Sequence, residues 1–253
     1  MATRAHPVSA TTIDPEEVAR FTAIAAEWWD ERGRFAPLHR MNPTRIGYIR
    51  DAVLRHFARD GQSATPFQNL SLLDVGCGGG LITEPMARLG FATTGVDAGL
   101  ENIKTAALHA QQSALSIDYR CNTAEELAEA GAQFDVVLAL EIIEHVSNLD
   151  LFYDALTSLV KPGGLLILST LNRTPKSYAL AIVGAEWIMR WVPRGTHRWE
   201  KFIKPSEMAR AIGSRGLQVG EASGITVNPL NWNFKIAPKD LDVNYLMTAS
   251  RPV

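Results

Sequence analysis

Two groups of residues carry the chemistry legible in this chain. The first lies in the run LLDVGCGGGLITEPMARLG, where an apolar strand ends in Asp74, breaks into Gly76, Gly78, Gly79 and Gly80, and restarts as a helix. Glycine tolerates φ > 0 and lacks a Cβ, so bare backbone can approach a small molecule. The free N–H groups at the start of the next helix suit an electron-rich ligand. The second group, Glu141, Glu144 and His145, follows the apolar run FDVVLAL. Residues three and four apart share a helical face, so one turn would present two carboxylates and an imidazole together. Oxygen-rich ligation with one imidazole suits Mg²⁺ or Mn²⁺ better than structural zinc. The competing uses are His145 as a general base and Glu141 as a cofactor contact.

The elements that must position these residues read as an alternation. Strands are expected over 70–75, 92–96, 116–120, 134–139, 165–170, 217–223 and 242–250, with helices between most of them. Helices over 18–29 and 43–57 precede the sheet, and the polar stretch 59–69 links them to it. Such alternation implies a parallel sheet covered on both faces. The run NPLNWNFKIAP before the last strand holds no helical pattern, which suits an antiparallel final strand. The expected fold is therefore α/β, a doubly wound, seven-stranded, mostly parallel Rossmann-like sheet. Ligands bind such sheets beyond the carboxyl ends of the strands, so Asp74 to Gly80, Asp97, Leu140 and Glu141 should line one cleft. An acid at Asp97, ending the second strand, accepts hydrogen bonds from ribose hydroxyls. The glycine spacing alone fits a dinucleotide site as well as motif I of the class I S-adenosylmethionine-dependent methyltransferases, which Asp-x-Gly-x-Gly-x-Gly resembles. The antiparallel seventh strand adds weight to the methyltransferase reading.

A hydrophobic fraction of 46% with 21% charged residues is ordinary for a globular chain, and residues 1–253 read as one domain. The N-terminal run MATRAHPVSATT has no apolar core of a signal peptide, and Cys77 and Cys121 fall on different elements, so a reducing cytoplasm is expected. Cys77 reads as a small packing residue of the glycine turn rather than a nucleophile.

More specific runs extend over nearly the whole chain: RFTAIAAEWWDERGRFAPLHRMNPTRIGYI, EIIEHV, KPGGLLILSTLNRTPKS, VGAEWIMRWVPRGTH, KFIKPSEM and DVNY. Together with the glycine turn they resemble the ubiquinone biosynthesis O-methyltransferase family. That resemblance implies S-adenosylmethionine as cofactor and methylation of hydroxyls on 2-polyprenyl-6-hydroxyphenol and 3-demethylubiquinol. It implies cofactor contacts at Arg45, Gly76, Asp97 and Leu140, with Gly78 in the same turn. Leu140 stands where several relatives carry methionine, so contact there would rest on backbone or apolar packing. Glu141, Glu144 and His145 match a magnesium site of part of the family. Physically, Arg45 can pair bidentately with the cofactor's methionine carboxylate. Its sequence context alone reads as a surface arginine near a helix start.

Residues 1–68 read as an N-terminal helical cap and 172–204 as an insert. The insert holds seven basic residues, Arg173, Lys176, Arg190, Arg194, Arg198, Lys201 and Lys204, against Glu186 and Glu200. Its apolar centre carries Trp187 and Trp191 but is shorter than the ~20 apolar residues a spanning helix needs. Two readings stand: an interfacial helix on an anionic membrane surface, or a lid packed over the cleft. The first places the protein in the cytoplasm, peripherally attached to the inner face of the membrane, with a polyprenylated phenol or quinol as substrate and a ubiquinone biosynthetic complex as a further partner. A scaffold that binds cofactor with little turnover is the alternative to an enzyme.

Overall fold

The computed structural model describes residues 11–180, 198–228 and 232–253. Six strands run parallel: β1 (Ser71–Val75), β2 (Ala92–Val96), β3 (Asp118–Arg120), β4 (Phe134–Leu140), β5 (Val160–Leu171) and β6 (Gln218–Asn228). Among the described residues the sheet has eight strands rather than seven, in the order β3-β2-β1-β4-β5-β8-β6-β7. The final strand, β8 (Asn244–Ser250), lies antiparallel between β5 and β6, as the helix-free connection suggested. The additional strand, β7 (Asn233–Ala237), comes from the run read as a plain connection and pairs antiparallel with β6 at the sheet edge. Only Phe234 and Ile236 of β7 pack on the core, so a five-residue edge strand leaves little periodic signal.

Period-two alternation divides the core between the two faces of the sheet. Leu73, Val137 and Leu166 pack on one face with α6 (Leu149–Ser158) and α8 (Pro205–Gly213). Their neighbours Leu72, Val136 and Leu165 pack on the other with α2 (Ala36–His56). Strands buried on both faces read as continuous apolar runs, which is why FDVVLAL and LLILSTL were legible.

The N-terminal region departs from its expected outline. α1 (Pro15–Thr22) stops early and is followed by a separate 3-10 turn, Ala25–Glu27, instead of one helix over 18–29. Helix α2 begins seven residues before Pro43 and carries that proline inside it. Pro37 at the first turn starts the helix, since a proline there forfeits only an N–H that has no helical partner. Ala25, Trp28, Phe35 and Leu81 form a small third core that fastens this cap to the sheet.

Candidate active site

The glycine turn, α1, α2 and the ends of β1, β2 and β4 enclose a cavity of about 410 Å³. It lies where the strand order reverses, between β1 and β4, the position at which doubly wound sheets take ligands. Arg45, Gly76, Gly78, Asp97, Leu140, Glu141, Glu144 and His145 all line it, as does Asp74.

The turn is braced by β2, with the Gly76 and Cys77 N–H groups both donating to the Val96 carbonyl at 2.8 and 3.0 Å. Gly76 and Gly78 have φ of +71° and +53°, in the left-handed region that side chains resist. A Cβ on Gly76 would lie 2.8 Å from Ile142, and one on Gly78 would strike the Trp28 ring. The bare backbone expected to face a ligand thus also faces the protein's own indole. Helix α3 (Thr83–Arg88) starts three residues beyond Gly80, later than the turn alone suggested. Burial of Cys77 pushes its thiol well above the ordinary range, consistent with packing rather than nucleophilic chemistry.

Arg45 is 3% exposed, not a surface residue. Its Nε donates to Asn42 Oδ1 at 3.1 Å, one helical turn back, and Nη2 also bonds that oxygen. The charges of Glu141 and Asp74 act on it, but among the described residues no carboxylate lies within ion-pairing distance of it. A buried guanidinium in this state favours an anionic ligand, and a carboxylate matches its fork of donors. Asp74 accepts from Thr83 Oγ1 at 2.6 Å, and burial, opposed by that bond and by Arg45, pushes its carboxyl up to about 6. Asp97 accepts from the N–H groups of Gly78 at 3.0 Å and Gly99 at 2.8 Å, and from Asn102 Nδ2 at 3.0 Å. Leu140 is buried at the end of β4 and offers the cavity an apolar wall. A carboxylate acceptor, a buried cation and a turn without side chains therefore fit the amino-acid and nucleoside ends of S-adenosylmethionine.

The second group does not form a metal cage. Residues 143–145 make a 3-10 turn, and Glu141 precedes it at φ +53°, a strained conformation for a bulky side chain. The three expected ligands consequently diverge. Glu141 accepts from Ser169 Oγ at 2.7 Å and Asn244 Nδ2 at 2.9 Å, Glu144 accepts from Thr170 Oγ1 at 2.8 Å, and His145 Nδ1 lies 2.8 Å from Glu17 Oε2. Among the described residues no three His, Cys, Asp or Glu side chains are grouped to hold a metal ion. Burial, reinforced by the Glu141 carboxylate, pushes Glu144 up to about 8. The magnesium site expected at Glu141, Glu144 and His145 is thus not met by the described geometry.

Glu17 is the residue that sequence reading missed here. Burial would raise its carboxyl, but the hydrogen bond and charge of His145, with Arg20 and Lys201, outweigh that and hold it below the usual range. The pairing shows no motif, because Glu17 and His145 are 128 residues apart and meet only when α1 crosses the cavity. Further links seat that crossing: Ser147 N–H donates to the Thr12 carbonyl at 2.9 Å, Thr12 Oγ1 donates to Glu125 Oε1 at 2.7 Å, and Lys201 Nζ bonds Asp14 at 3.1 Å. Phe234 of β7 and Asn244 of β8 also line the cavity unannounced by spacing.

In the insert, the apolar centre read as an interfacial helix, Tyr178 to Val192, lies outside the described residues from 181 onward. At its flanks Arg173 pairs with Glu207, Lys176 with Asp240 and Asp242 at 3.2 Å each, and Lys201 with Asp14. Part of the basic patch is therefore engaged within the protein. Among the described residues no helix is long and apolar enough to cross a membrane.

The fold is shared with solved proteins of low sequence identity. The S-adenosylmethionine-bound magnesium protoporphyrin IX methyltransferase of Synechocystis aligns with a TM-score of 0.60 and 17% identity over 94% of this chain and 98% of that one. A [4+2]-cyclase aligns at 0.57 and 16% over 81% and 80%, so the fold by itself does not assign the reaction. The family model for a methyltransferase domain matches residues 39–222, and with the cavity described above it defines an S-adenosylmethionine-dependent methyltransferase rather than a dinucleotide-binding protein. Full-length relatives narrow the class. Ubiquinone biosynthesis O-methyltransferases of Cereibacter sphaeroides, Azorhizobium caulinodans and Parvibaculum lavamentivorans are 54%, 53% and 51% identical, over 97%, 93% and 99% of this chain and 100%, 93% and 99% of their own. The chain belongs to the ubiquinone biosynthesis O-methyltransferase family.

Proposed function

We propose that this enzyme methylates a hydroxyl of polyprenyl catechol-type intermediates, 2-polyprenyl-6-hydroxyphenol and 3-demethylubiquinol, and that His145 accepts the phenolic proton. The observation that carries this reading is the Glu17–His145 pair in the wall of the cavity that also holds Arg45, Asp97 and Leu140. S-adenosylmethionine, when bound, supplies a methyl group on a positively charged sulfur. Arg45 would hold its carboxylate and Asp97 its ribose hydroxyls, with Leu140 as apolar backing.

A phenol of pKa about 10 is mostly protonated at neutral pH, so the attacking oxygen needs an acceptor for its proton. An ionised Glu17 can only accept a hydrogen bond, so it keeps a proton on His145 Nδ1, and Nε2, in the form of the ring that carries no proton there, is the nitrogen that would take the phenolic proton. With the methyl group supplied by the bound sulfonium and passed to the phenolic oxygen, the proton released from that oxygen would end on His145. Phe21, Phe35, Leu38, Met41 and Phe234 line the cavity with apolar surface suited to a prenylated ring. No step is routed through a metal, because Glu141, Glu144 and His145 are each hydrogen-bonded to a different partner and are not grouped as ligands among the described residues.

The chain reads as one domain, with 1–68 as cap and 172–204 as insert. Attachment of that insert to an anionic membrane surface would bring the enzyme to its prenylated substrate. Tyr178 and Leu180, each 49% exposed where the insert begins, support this.

The test is methyl transfer to short-tailed demethylubiquinol by His145→Ala. Loss of a general base lowers kcat by about 10²–10⁴ while leaving cofactor affinity in place. Transfer should persist in EDTA. Wild-type rates from His145→Ala, or activity that vanishes in EDTA and returns with Mg²⁺, would overturn the proton route.

A further inference from the structure

The two tryptophans of the WWD run both pack on the glycine turn, and one of them is linked through Asn102 to the Asp97 carboxylate. Trp29 Nε1 donates to the Gly79 carbonyl at 2.9 Å, and its ring stacks on His109 with centroids 3.4 Å apart. Trp28 sits in the space that side chains at Gly78 and Gly79 would fill, and stacks on Phe35 at 3.7 Å and 10°. His39 Nε2 bonds the Trp28 carbonyl at 2.8 Å. This indole is therefore held from three sides and lines the cavity.

Its N–H points at Asn102, which is 2% exposed. Trp28 Nε1 donates to Asn102 Oδ1 at 2.9 Å, and Asn102 Nδ2 donates to Asp97 Oδ1 at 3.0 Å. An indole N–H can only donate, so it dictates which end of the amide turns toward the carboxylate. With the amide reversed, a carbonyl oxygen would oppose a carboxylate oxygen. Of roughly four acceptor positions on a carboxylate, Gly78, Gly99 and Asn102 use three, so the direction of what remains matters.

We infer that Trp28 and Asn102 are positioning residues of the nucleoside subsite: the indole N–H sets the Asn102 amide, and the amide aims the remaining acceptor position of the Asp97 carboxylate at a ribose hydroxyl. This rests on the assignment of Asp97 to the cofactor's ribose. It makes the N-terminal cap part of cofactor recognition, although Trp28 lies far ahead of the glycine turn in the chain. The Trp28–Asn102 bond joins side chains 74 residues apart, so no local motif announces it.

The test is calorimetric binding of S-adenosylhomocysteine and of its 2′,3′-dideoxy analogue to the full chain. Trp28→Phe keeps an aromatic ring and removes the donor, which should weaken S-adenosylhomocysteine about fivefold to tenfold, the worth of one buried hydrogen bond. The dideoxy analogue should bind Trp28→Phe and wild type alike. Asn102→Ala leaves the indole wedge in place and carries the same comparison should Trp28→Phe fail to fold. The double substitution should cost little more than either alone, since all act through one carboxylate. Equal loss for both ligands would make Trp28 a structural wedge only, and unchanged affinity for both would remove the relay; either overturns the inference. A wild type that does not discriminate the two ligands would instead overturn the assignment of Asp97.

Discussion

Replacing Arg45 with methionine should separate stability from binding, because the guanidinium is buried and, among the described residues, no carboxylate lies in ion-pairing range. Its charge is opposed by burial and favoured by Glu141 and Asp74, and burial dominates, lowering its hold on its proton. Methionine keeps much of the volume and removes a buried charge whose desolvation is unfavourable and which has no carboxylate in ion-pairing range among the described residues. Asp74 loses a favourable neighbour, but its carboxyl, already at about 6, can keep its proton. At pH 6 or below the ligand-free Arg45→Met protein should therefore melt at or above the wild-type temperature. Binding should move the other way. Hydrogen bonds to charged groups contribute about 1.5–3 kcal/mol each, so losing the carboxylate clamp costs about 3 kcal/mol and weakens S-adenosylhomocysteine on the order of 100-fold. Titration calorimetry with that ligand and with 5′-methylthioadenosine, which has no carboxylate, gives the measurement. Only the first should weaken. An Arg45→Met protein that binds S-adenosylhomocysteine within about threefold of wild type, or weakens equally toward both, would refute the carboxylate role.

Asp97→Ala should weaken the cofactor about tenfold to 100-fold through lost hydrogen bonds to an ionised acceptor, and unchanged affinity by titration would take Asp97 out of the site. Glu144 provides a pH signature. Its carboxyl stays protonated in the fold up to about 8, whereas the unfolded chain ionises near 4.5, so stability should fall as pH rises between those values and level off above. Glu144→Gln should abolish that slope and exceed wild type in stability at pH 8; parallel stability curves for the two proteins would contradict it. Replacing Lys176, Arg190, Arg194 and Arg198 by glutamate should release the protein from anionic liposomes, and sedimentation with them unchanged would count against electrostatic attachment.

The sequence by itself determined seven strands of the sheet, the place of its cleft and several of the residues that line it. The strands buried on both faces form apolar runs, the glycines answer to local backbone geometry, and Asp97 and Leu140 end strands whose carboxyl ends must converge. All of these are short-range constraints, so they survive in the linear chain. The eighth strand was not legible, since only two residues of NFKIA pack inward at a sheet edge. Tertiary structure alone decided the chemistry at Glu141, Glu144 and His145. Their spacing promised a shared helical face, but Glu141 takes a positive φ and the chain continues as a 3-10 turn, so each side chain finds a separate partner. Arg45 likewise reads as a surface residue until α2 carries it into the core. Glu17 reaches His145, and Trp28 reaches Asn102, across 128 and 74 residues. Such pairs leave no periodicity, because one contact between distant segments constrains neither segment's neighbours; they exist only once the N-terminal cap lies across the ends of the strands.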